Sequence, residues 1–287
     1  MPIPVTDDML DTKTPEDVVI RSDAREPNFD PTLGIPAKRP AAAALPAAVL
    51  PPNRLVTVGD SLTHGFQSLA IFHTDISYPA IIAYEMGCLD QFRRPTYNGF
   101  GGLPLNLEFL IRDLESEFGD QISWWELPLA YFRVHHFLSQ LEDWWERGPG
   151  SQVPIATQIK HNLGVYGWDL RDALSKTTDW CQKRIKPPDD SFFAPMVQNA
   201  NERAALRVLP QSPLQNVGTL GAAEQLSQQG GTADGIETLL VLLGANNVLD
   251  SVVRLKVVWS QDPGYDDLAS KTSSRFGAPR ISRKNSI

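Results

Sequence analysis

The sequence has 287 residues, 42% of them hydrophobic, and a formal net charge of −8, which suits one large domain with a buried core. The acidic balance argues against a nucleic-acid-binding protein, which typically has clustered Lys and Arg and an overall basic charge. No apolar run reaches the roughly 20 residues of a membrane span, and the polar start differs from a secretory signal peptide. The two cysteines, Cys88 and Cys181, lie far apart, so neither a disulfide scaffold nor a cysteine-ligated zinc site is expected. We therefore expect a cytoplasmic protein without nucleic-acid partners.

The first 52 residues form a segment of their own. Prolines recur between residues 31 and 52 and interrupt any helical pattern there. We interpret residues 1–52 as an extended or disordered leader, either a plain surface tail or a docking arm. Ordered structure is predicted to begin at Asn53, where a domain over residues 53–272 starts.

Within that domain, short β-branched runs alternate with helical patterns. Strands are predicted over residues 54–59, 153–160, 238–243 and 252–259. Helices are predicted from about residue 62, from Pro128 to 147, and over residues 169–183, 191–208 and 217–228. This alternation, with glycine and small polar residues after several strands, predicts a parallel α/β sheet.

The first candidate functional residue is Ser61, directly after the strand predicted at residues 54–59. In a parallel sheet, reactive groups gather on the loops at the carboxyl ends of the strands. A serine there has its hydroxyl near backbone N–H donors, which suits a nucleophile whose developing charge must be stabilised. The alternative is a serine that only caps the following helix.

Two further loops carry candidate residues. Gly167 follows the second predicted strand, and without a side chain its N–H can approach a bound oxyanion. Asn246 follows the third, and its carboxamide can donate to the same oxyanion. The structural alternatives are an ordinary turn glycine and an asparagine pair that forms a turn.

Taken together, the three segments resemble the SGNH/GDSL serine hydrolases. VTVGDSLTHGF resembles the first block of that family, NLGVYGWDLRDAL its glycine block and LLGANNVL its G-x-N-D block. The resemblance implies Ser61 as nucleophile, with the N–H groups of Ser61 and Gly167 and the side chain of Asn246 as oxyanion donors. It also implies a flavodoxin-like three-layer α/β/α sandwich, and hydrolysis of a small-molecule or lipid ester without a metal or cofactor.

The chain departs from the family pattern at two places. Asn247 stands where the third block usually has aspartate, a position that is mainly architectural in the family. The interval between Ser61 and Gly167 far exceeds an ordinary crossover, which predicts a helical insertion over residues 90–150. Its helix carries two Trp-Trp pairs, which suit either a lid or acyl-binding wall, or simply packed core.

The resemblance also implies a catalytic histidine, which the family supplies from a D-x-x-H motif downstream of the third block. A serine hydroxyl needs an adjacent base to act at neutral pH, but none of the five histidines follows Asn246. His64 and His161 are the substitutes that we considered, with helix packing as the alternative for His64. We expect a chain that is truncated before this motif, ending in a disordered basic tail over residues 273–287, and an activity that is strongly reduced.

Three functions remain open from the sequence. The first is an esterase that forms an acyl-enzyme at Ser61. The second is a non-catalytic remnant or pseudoenzyme that binds an acyl or glycan ligand. The third is an interaction module that uses the aromatic helix of the insertion.

Overall fold

The computed structural model of the chain describes residues 51–97, 102–153, 158–188, 197–211, 216–229 and 235–255. Within these ranges the strands are β1 Asn53–Gly59, β2 Phe66–Gln67, β3 Ala70–Ile71, β4 Leu103–Pro104, β5 Asn162–Gly164 and β6 Ile236–Leu242. The α-helices there are α1 Ser61–His64, α2 Tyr78–Glu85, α3 Leu107–Phe118, α4 Leu127–Glu146, α5 Leu170–Ser175, α6 Thr178–Arg184, α7 Ala200–Val208, α8 Thr219–Ser227 and α9 Ala245–Arg254.

A three-stranded parallel sheet in the order β5-β1-β6 positions the predicted site. Its central strand, β1, has Val56, Thr57 and Val58 fully buried, as is typical of a strand that is covered on both faces. β1 pairs with β6 along its length and with β5 at its carboxyl end. The prediction of an α/β chain with a parallel sheet is therefore confirmed.

Helices lie against both faces of this sheet. Because successive side chains of a strand point to opposite faces, β1 contributes to two separate apolar clusters. Val56 and Val58 pack in a cluster with Leu226 of α8, whereas Leu55 packs in another with Ala83 of α2. The arrangement is compatible with a three-layer α/β fold.

The interval between α2 and β5 contains the helices α3 and α4, which lie within the residues over which the sequence predicts a helical insertion. The two helices are joined side by side by an ion pair, in which two guanidinium nitrogens of Arg133 each lie 2.7 Å from a carboxylate oxygen of Asp113. The carboxyl-terminal half of α4 packs through Phe137, Leu141 and Trp145 into a third apolar cluster, which includes residues of α7. This half of α4 is therefore packed core.

A small antiparallel sheet, β2-β3-β4, joins the segment before the predicted insertion to the insertion, because β3 pairs with β4, which lies within it. Ser68 and Leu69 form the two-residue connection between β2 and β3, and both have positive φ, at 49° and 58°. Two positive φ angles match the twist of a tight hairpin, which usually uses asparagine and glycine there. The sequence therefore lacks the usual signal for this hairpin.

Three predicted elements differ from the structure in the described residues. The strand expected over residues 153–160 is not formed at residues 158–160, and residues 154–157 lie outside the described ranges; β5 begins at Asn162, whose buried side chain bonds both to Gly164 and to α1. The helix expected over residues 169–183 is two helices, because Lys176 is extended and Thr177 caps α6. Residues 252–254 end α9 rather than begin a strand, since apolar side chains recur there at helical spacing.

Other predictions are confirmed or lie outside the described residues. β1, α4, α8 and β6 lie close to their predicted positions, and α7 occupies the end of the helix expected over residues 191–208. Residues 1–50, 256–259 and the basic tail 273–287 lie outside the described ranges. In the described part of the chain, no helix is both long and apolar enough to cross a membrane.

Candidate active site

The carboxyl ends of the three parallel strands lie level with one another. Gly59 of β1 is in register with Gly164 of β5 and with Leu242 of β6. Two further hydrogen bonds continue the pairing beyond the strands: Val165 N donates to Gly59 O at 3.0 Å, and Asp60 N donates to Leu242 O at 3.2 Å. The loops that carry Ser61, Gly167 and Asn246 therefore leave the same edge of the sheet.

Ser61 is the first residue of the short helix α1 and is half-buried. The cap of this helix is Asp60, whose Oδ1 accepts a hydrogen bond from Leu62 N at 3.1 Å. The alternative that Ser61 is only a capping serine is thus wrong, because the neighbouring carboxylate has that role. Asp60 is almost completely buried, and this burial raises the pKa of its carboxyl. No described side chain hydrogen-bonds to Ser61 Oγ.

Glycines let α1 lie directly against the strands. A Cβ on Gly59 would lie 1.9 Å from Thr63 Oγ1, and a Cβ on Gly164 would lie 2.6 Å from the backbone nitrogen of His64. Asn162, which is fully buried, joins β5 to α1 by donating from Nδ2 to Thr63 O at 2.7 Å. The position of Ser61 is therefore set by residues of two strands, the glycines of β1 and β5 and the Asn162 side chain of β5.

Gly167 lies in the loop between β5 and α5 with a φ of 73°, which is in the left-handed region that favours glycine. A Cβ there would lie 1.9 Å from Asn201 Nδ2 of α7. That amide nitrogen donates to Tyr166 O at 2.9 Å and so holds the residue before Gly167. The prediction of a turn glycine is confirmed, and its proposed role as an oxyanion donor remains a prediction.

Asn246 and Asn247 lie in the first turn of α9 and link it to the Gly167 loop. Asn246 Nδ2 donates to Trp168 O at 2.7 Å, and Asn247 Oδ1 accepts from Leu170 N at 3.4 Å. The alternative in which this pair only forms a turn is wrong, since both side chains bond to another segment. The second and third predicted blocks are therefore in direct contact.

The start of α5 holds this loop by a buried polar arrangement. Asp169 and Asp172 accept hydrogen bonds from each other's backbone nitrogens, at 2.9 and 3.2 Å, in a reciprocal cap. Lys176 Nζ lies 3.2 Å from Asp172 Oδ1 and 4.7 Å from the centre of the Trp180 ring. This arrangement fixes the segment to which both asparagines bond.

His64 is fully buried and has partners on both ring nitrogens. Tyr166 N donates to Nδ1 at 3.1 Å, so Nε2 carries the hydrogen and donates to Tyr97 Oη at 2.8 Å. Burial lowers the pKa of this imidazole to about 3. His64 therefore joins α1 to the insertion as a neutral packing residue and is not placed to act as a base for Ser61.

His161 is also buried, and both of its ring nitrogens are hydrogen-bonded. Arg93 N donates to Nδ1 at 3.0 Å, and Nε2 bonds to Asn53 Oδ1 at 2.9 Å. The backbone of His161 accepts a hydrogen bond from Thr57 N in the middle of β1, and its ring reaches Asn53 at the start of this strand, the end opposite to the one that carries Ser61. Burial, with the nearby Arg93 charge, lowers the His161 pKa to about 4. The hypothesis that His161 replaces the missing base is contradicted by this position.

The remaining histidines are on other elements. His73 Nδ1 lies 3.8 Å from Asp75 Oδ1 on the surface, and His135 and His136 are in the middle of α4. All five histidines of the sequence are described, and none hydrogen-bonds to Ser61. The aspartates Asp262, Asp266 and Asp267 lie outside the described ranges.

Sequence reasoning missed two residues beside the site. Tyr78 Oη lies 2.7 Å from Thr63 Oγ1, and burial raises the pKa of its phenol. Tyr97 is buried against His64 and Trp145, and burial raises its phenol pKa as well. Neither tyrosine lies in a recognisable motif, so the sequence alone gave no signal for either of them.

Comparisons with protein-family models, curated proteins and solved structures each found no match to this chain.

Proposed function

We propose that this chain carries the acyl-transfer site of an SGNH/GDSL-type serine esterase on a flavodoxin-like α/β/α sandwich. Ser61 is the nucleophile, and the oxyanion donors are the N–H groups of Ser61 and Gly167 and the side chain of Asn246. The observation that carries the proposal is the hydrogen bond from Asn246 Nδ2 to Trp168 O at 2.7 Å. It brings the asparagine loop against the glycine loop at the same sheet edge that Ser61 occupies.

The proposed reaction has two steps. Ser61 Oγ attacks the carbonyl carbon of an ester, and the oxygen that becomes negative receives hydrogen bonds from the three donors. The C–O bond to the alcohol then breaks, the alcohol leaves with a proton, and the acyl group remains on Ser61. Water attacks this acyl-serine, which releases the carboxylic acid and restores the hydroxyl.

Within the described residues, no histidine hydrogen-bonds to Ser61 to accept its hydroxyl proton. His64 and His161 use both ring nitrogens for structural hydrogen bonds, and both have lowered pKa values. We therefore assign proton removal from Ser61 to solvent hydroxide. Loss of a catalytic histidine costs roughly 10⁶ in turnover in a serine hydrolase, and binding plus the oxyanion hole retain about 10³–10⁴ over water.

A second candidate function is ligand binding without turnover. It is favoured by the finding that no described side chain hydrogen-bonds to Ser61 Oγ. In this case the same donors hold the carbonyl or carboxylate oxygen of an acyl or glycan ligand, and Ser61 contributes a hydrogen bond instead of a covalent bond.

A fluorophosphonate reagent separates the two candidates, because it phosphonylates a serine that is activated by its surroundings. We expect slow labelling of the full chain that rises with pH and is lost in Ser61→Ala. The matched control is Ser227→Ala, which removes an exposed hydroxyl on α8 that bonds only to Glu224 O, and it should label like the parent chain. Absence of labelling, or labelling that persists in Ser61→Ala, contradicts the esterase proposal.

A further inference from the structure

The tip of the α3–α4 hairpin exposes a cluster of large apolar side chains. Trp124 is 79% exposed and Phe132 is 67% exposed. We define the aromatic tip as the exposed apolar residues of this turn and of the first turns of α4: Ile122, Trp124, Trp125, Leu127, Leu129, Tyr131 and Phe132. Monomeric proteins rarely expose a contiguous apolar patch unless it has a binding role.

The aromatic tip is not the loose end of a core. The buried face of α4 runs through Ala130, Phe137, Leu141 and Trp145, and Trp145 Nε1 fixes the far end by donating to Gly102 O at 2.6 Å. The Arg133–Asp113 ion pair holds the hairpin together directly after the last residue of the tip. The exposed rings are thus carried on a supported element and point away from the packed face.

The rings of the tip are arranged in two edge-on pairs. Trp124 and Trp125 have centroids 5.9 Å apart with planes at 83°, and Tyr131 and Phe132 have centroids 5.9 Å apart with planes at 71°. Two of these side chains are indoles and one is a phenol, which combine an apolar body with a polar group. Such side chains favour the boundary between lipid headgroups and acyl chains.

The charges around the aromatic tip indicate which kind of lipid surface it can bind. Glu117, Asp120 and Glu126 flank it, and the two nearby cations are each paired, Arg112 with Glu108 and Arg133 with Asp113. This acidic border repels an anionic membrane, to which peripheral helices usually bind through free Lys and Arg. It complements the outward-facing quaternary ammonium of a choline headgroup, which aromatic faces also attract.

We propose that the aromatic tip docks the protein on a zwitterionic, phosphatidylcholine-type lipid surface. The tip residues insert their rings at the headgroup level, and the carboxylates beside them face the choline groups. The inference does not depend on Ser61, since the hairpin packs into an apolar cluster that includes no residue of the β5-β1-β6 sheet.

Vesicle flotation with the full chain tests this proposal. We expect the protein to float with phosphatidylcholine vesicles and to bind more weakly when phosphatidylserine is included. The double variant Trp124→Ser/Trp125→Ser should lower vesicle partitioning at least about tenfold, because two indoles lose their apolar contact. The matched control is Ile81→Ser/Leu174→Ser, which removes two exposed apolar side chains of α2 and α5 and should float like the parent.

Two checks keep the test decisive. Thermal unfolding should be unchanged in the tryptophan double variant, since both rings are outside the core. Sedimentation velocity without lipid shows whether the tip instead joins two copies of the chain. A parent chain that does not float, a tip variant that floats like the parent, stronger binding to phosphatidylserine vesicles, or a dimer that the tip variant abolishes would each overturn the proposal.

Discussion

Asn246 has two amide hydrogens, and the structure uses one of them for the Trp168 carbonyl. The second hydrogen is what the proposed reaction needs, because an oxyanion donor must already be fixed before charge develops. The same side chain is therefore both a link between loops and a candidate donor. Its neighbour Asn247 accepts a hydrogen bond from the Gly167 loop through Oδ1 and serves as a natural comparison.

The residue-scale prediction separates these two roles. Asn246→Ala should slow fluorophosphonate labelling of Ser61 by about 10²–10³, the usual cost of one oxyanion donor. Asn247→Ala removes the other loop contact but no proposed donor, and should leave the labelling rate close to that of the parent. Equal losses in the two variants would indicate general disorder of the loop and contradict the donor role of Asn246.

At the scale of elements, α5 depends on a buried ion pair. Lys176 and Asp172 are almost fully buried, and the ammonium of Lys176 lies between the rings of Trp168 and Trp180. A buried carboxylate that loses its cation is left uncompensated in a medium of low polarity. Because Trp168 also accepts the Asn246 bond, this pair supports the loop that carries Gly167.

Lys176→Met keeps the apolar stem over the tryptophans and removes the charge. We expect a loss of about 3 kcal/mol in the free energy of unfolding, measured by urea titration. The double variant Asp172→Asn/Lys176→Met should lose less than the sum of the two single variants, since the partners are coupled. Arg112→Met breaks the exposed pair with Glu108 and should cost less than about 0.5 kcal/mol. A similar cost for both lysine and arginine variants would contradict the argument.

The elements that the sequence predicts well are those whose local signals agree. β1 is a short β-branched run that ends at glycine, and α4 has helical spacing over 20 residues with a proline near its start. β5 was not predicted at Asn162–Gly164, because its register depends on the Asn162 contacts, which join segments far apart in the chain. The β2–β3 hairpin was missed because Ser68 and Leu69 replace the usual turn residues.

At the scale of the whole molecule, it was predictable that the three loops share one edge of the sheet, but the hydrogen-bond partners of the histidines were not predictable. Parallel strands bring their carboxyl ends to one edge, so Ser61, Gly167 and Asn246 follow from topology. The hydrogen bond between His161 and Asn53, by contrast, joins segments that are more than a hundred residues apart in the chain. β6 was the most apolar predicted strand, yet Leu239 and Val241, which point to the same face of the sheet, are exposed, because that face of β6 is not covered in the described part of the chain.

The two buried imidazoles make the stability of the whole molecule depend on pH. His64 and His161 are neutral in the folded chain, with pKa values of about 3 and about 4, whereas an unfolded histidine titrates near 6.5. Below pH 6.5 the unfolded chain therefore binds more protons, and the free energy of unfolding should fall by about 1 kcal/mol per pH unit for each histidine. Urea midpoints measured from pH 7.5 to 5 should show this slope, unchanged in the exposed-site variant His73→Gln and reduced in His64→Gln. Midpoints that stay constant over this range would contradict the buried, neutral state of both rings.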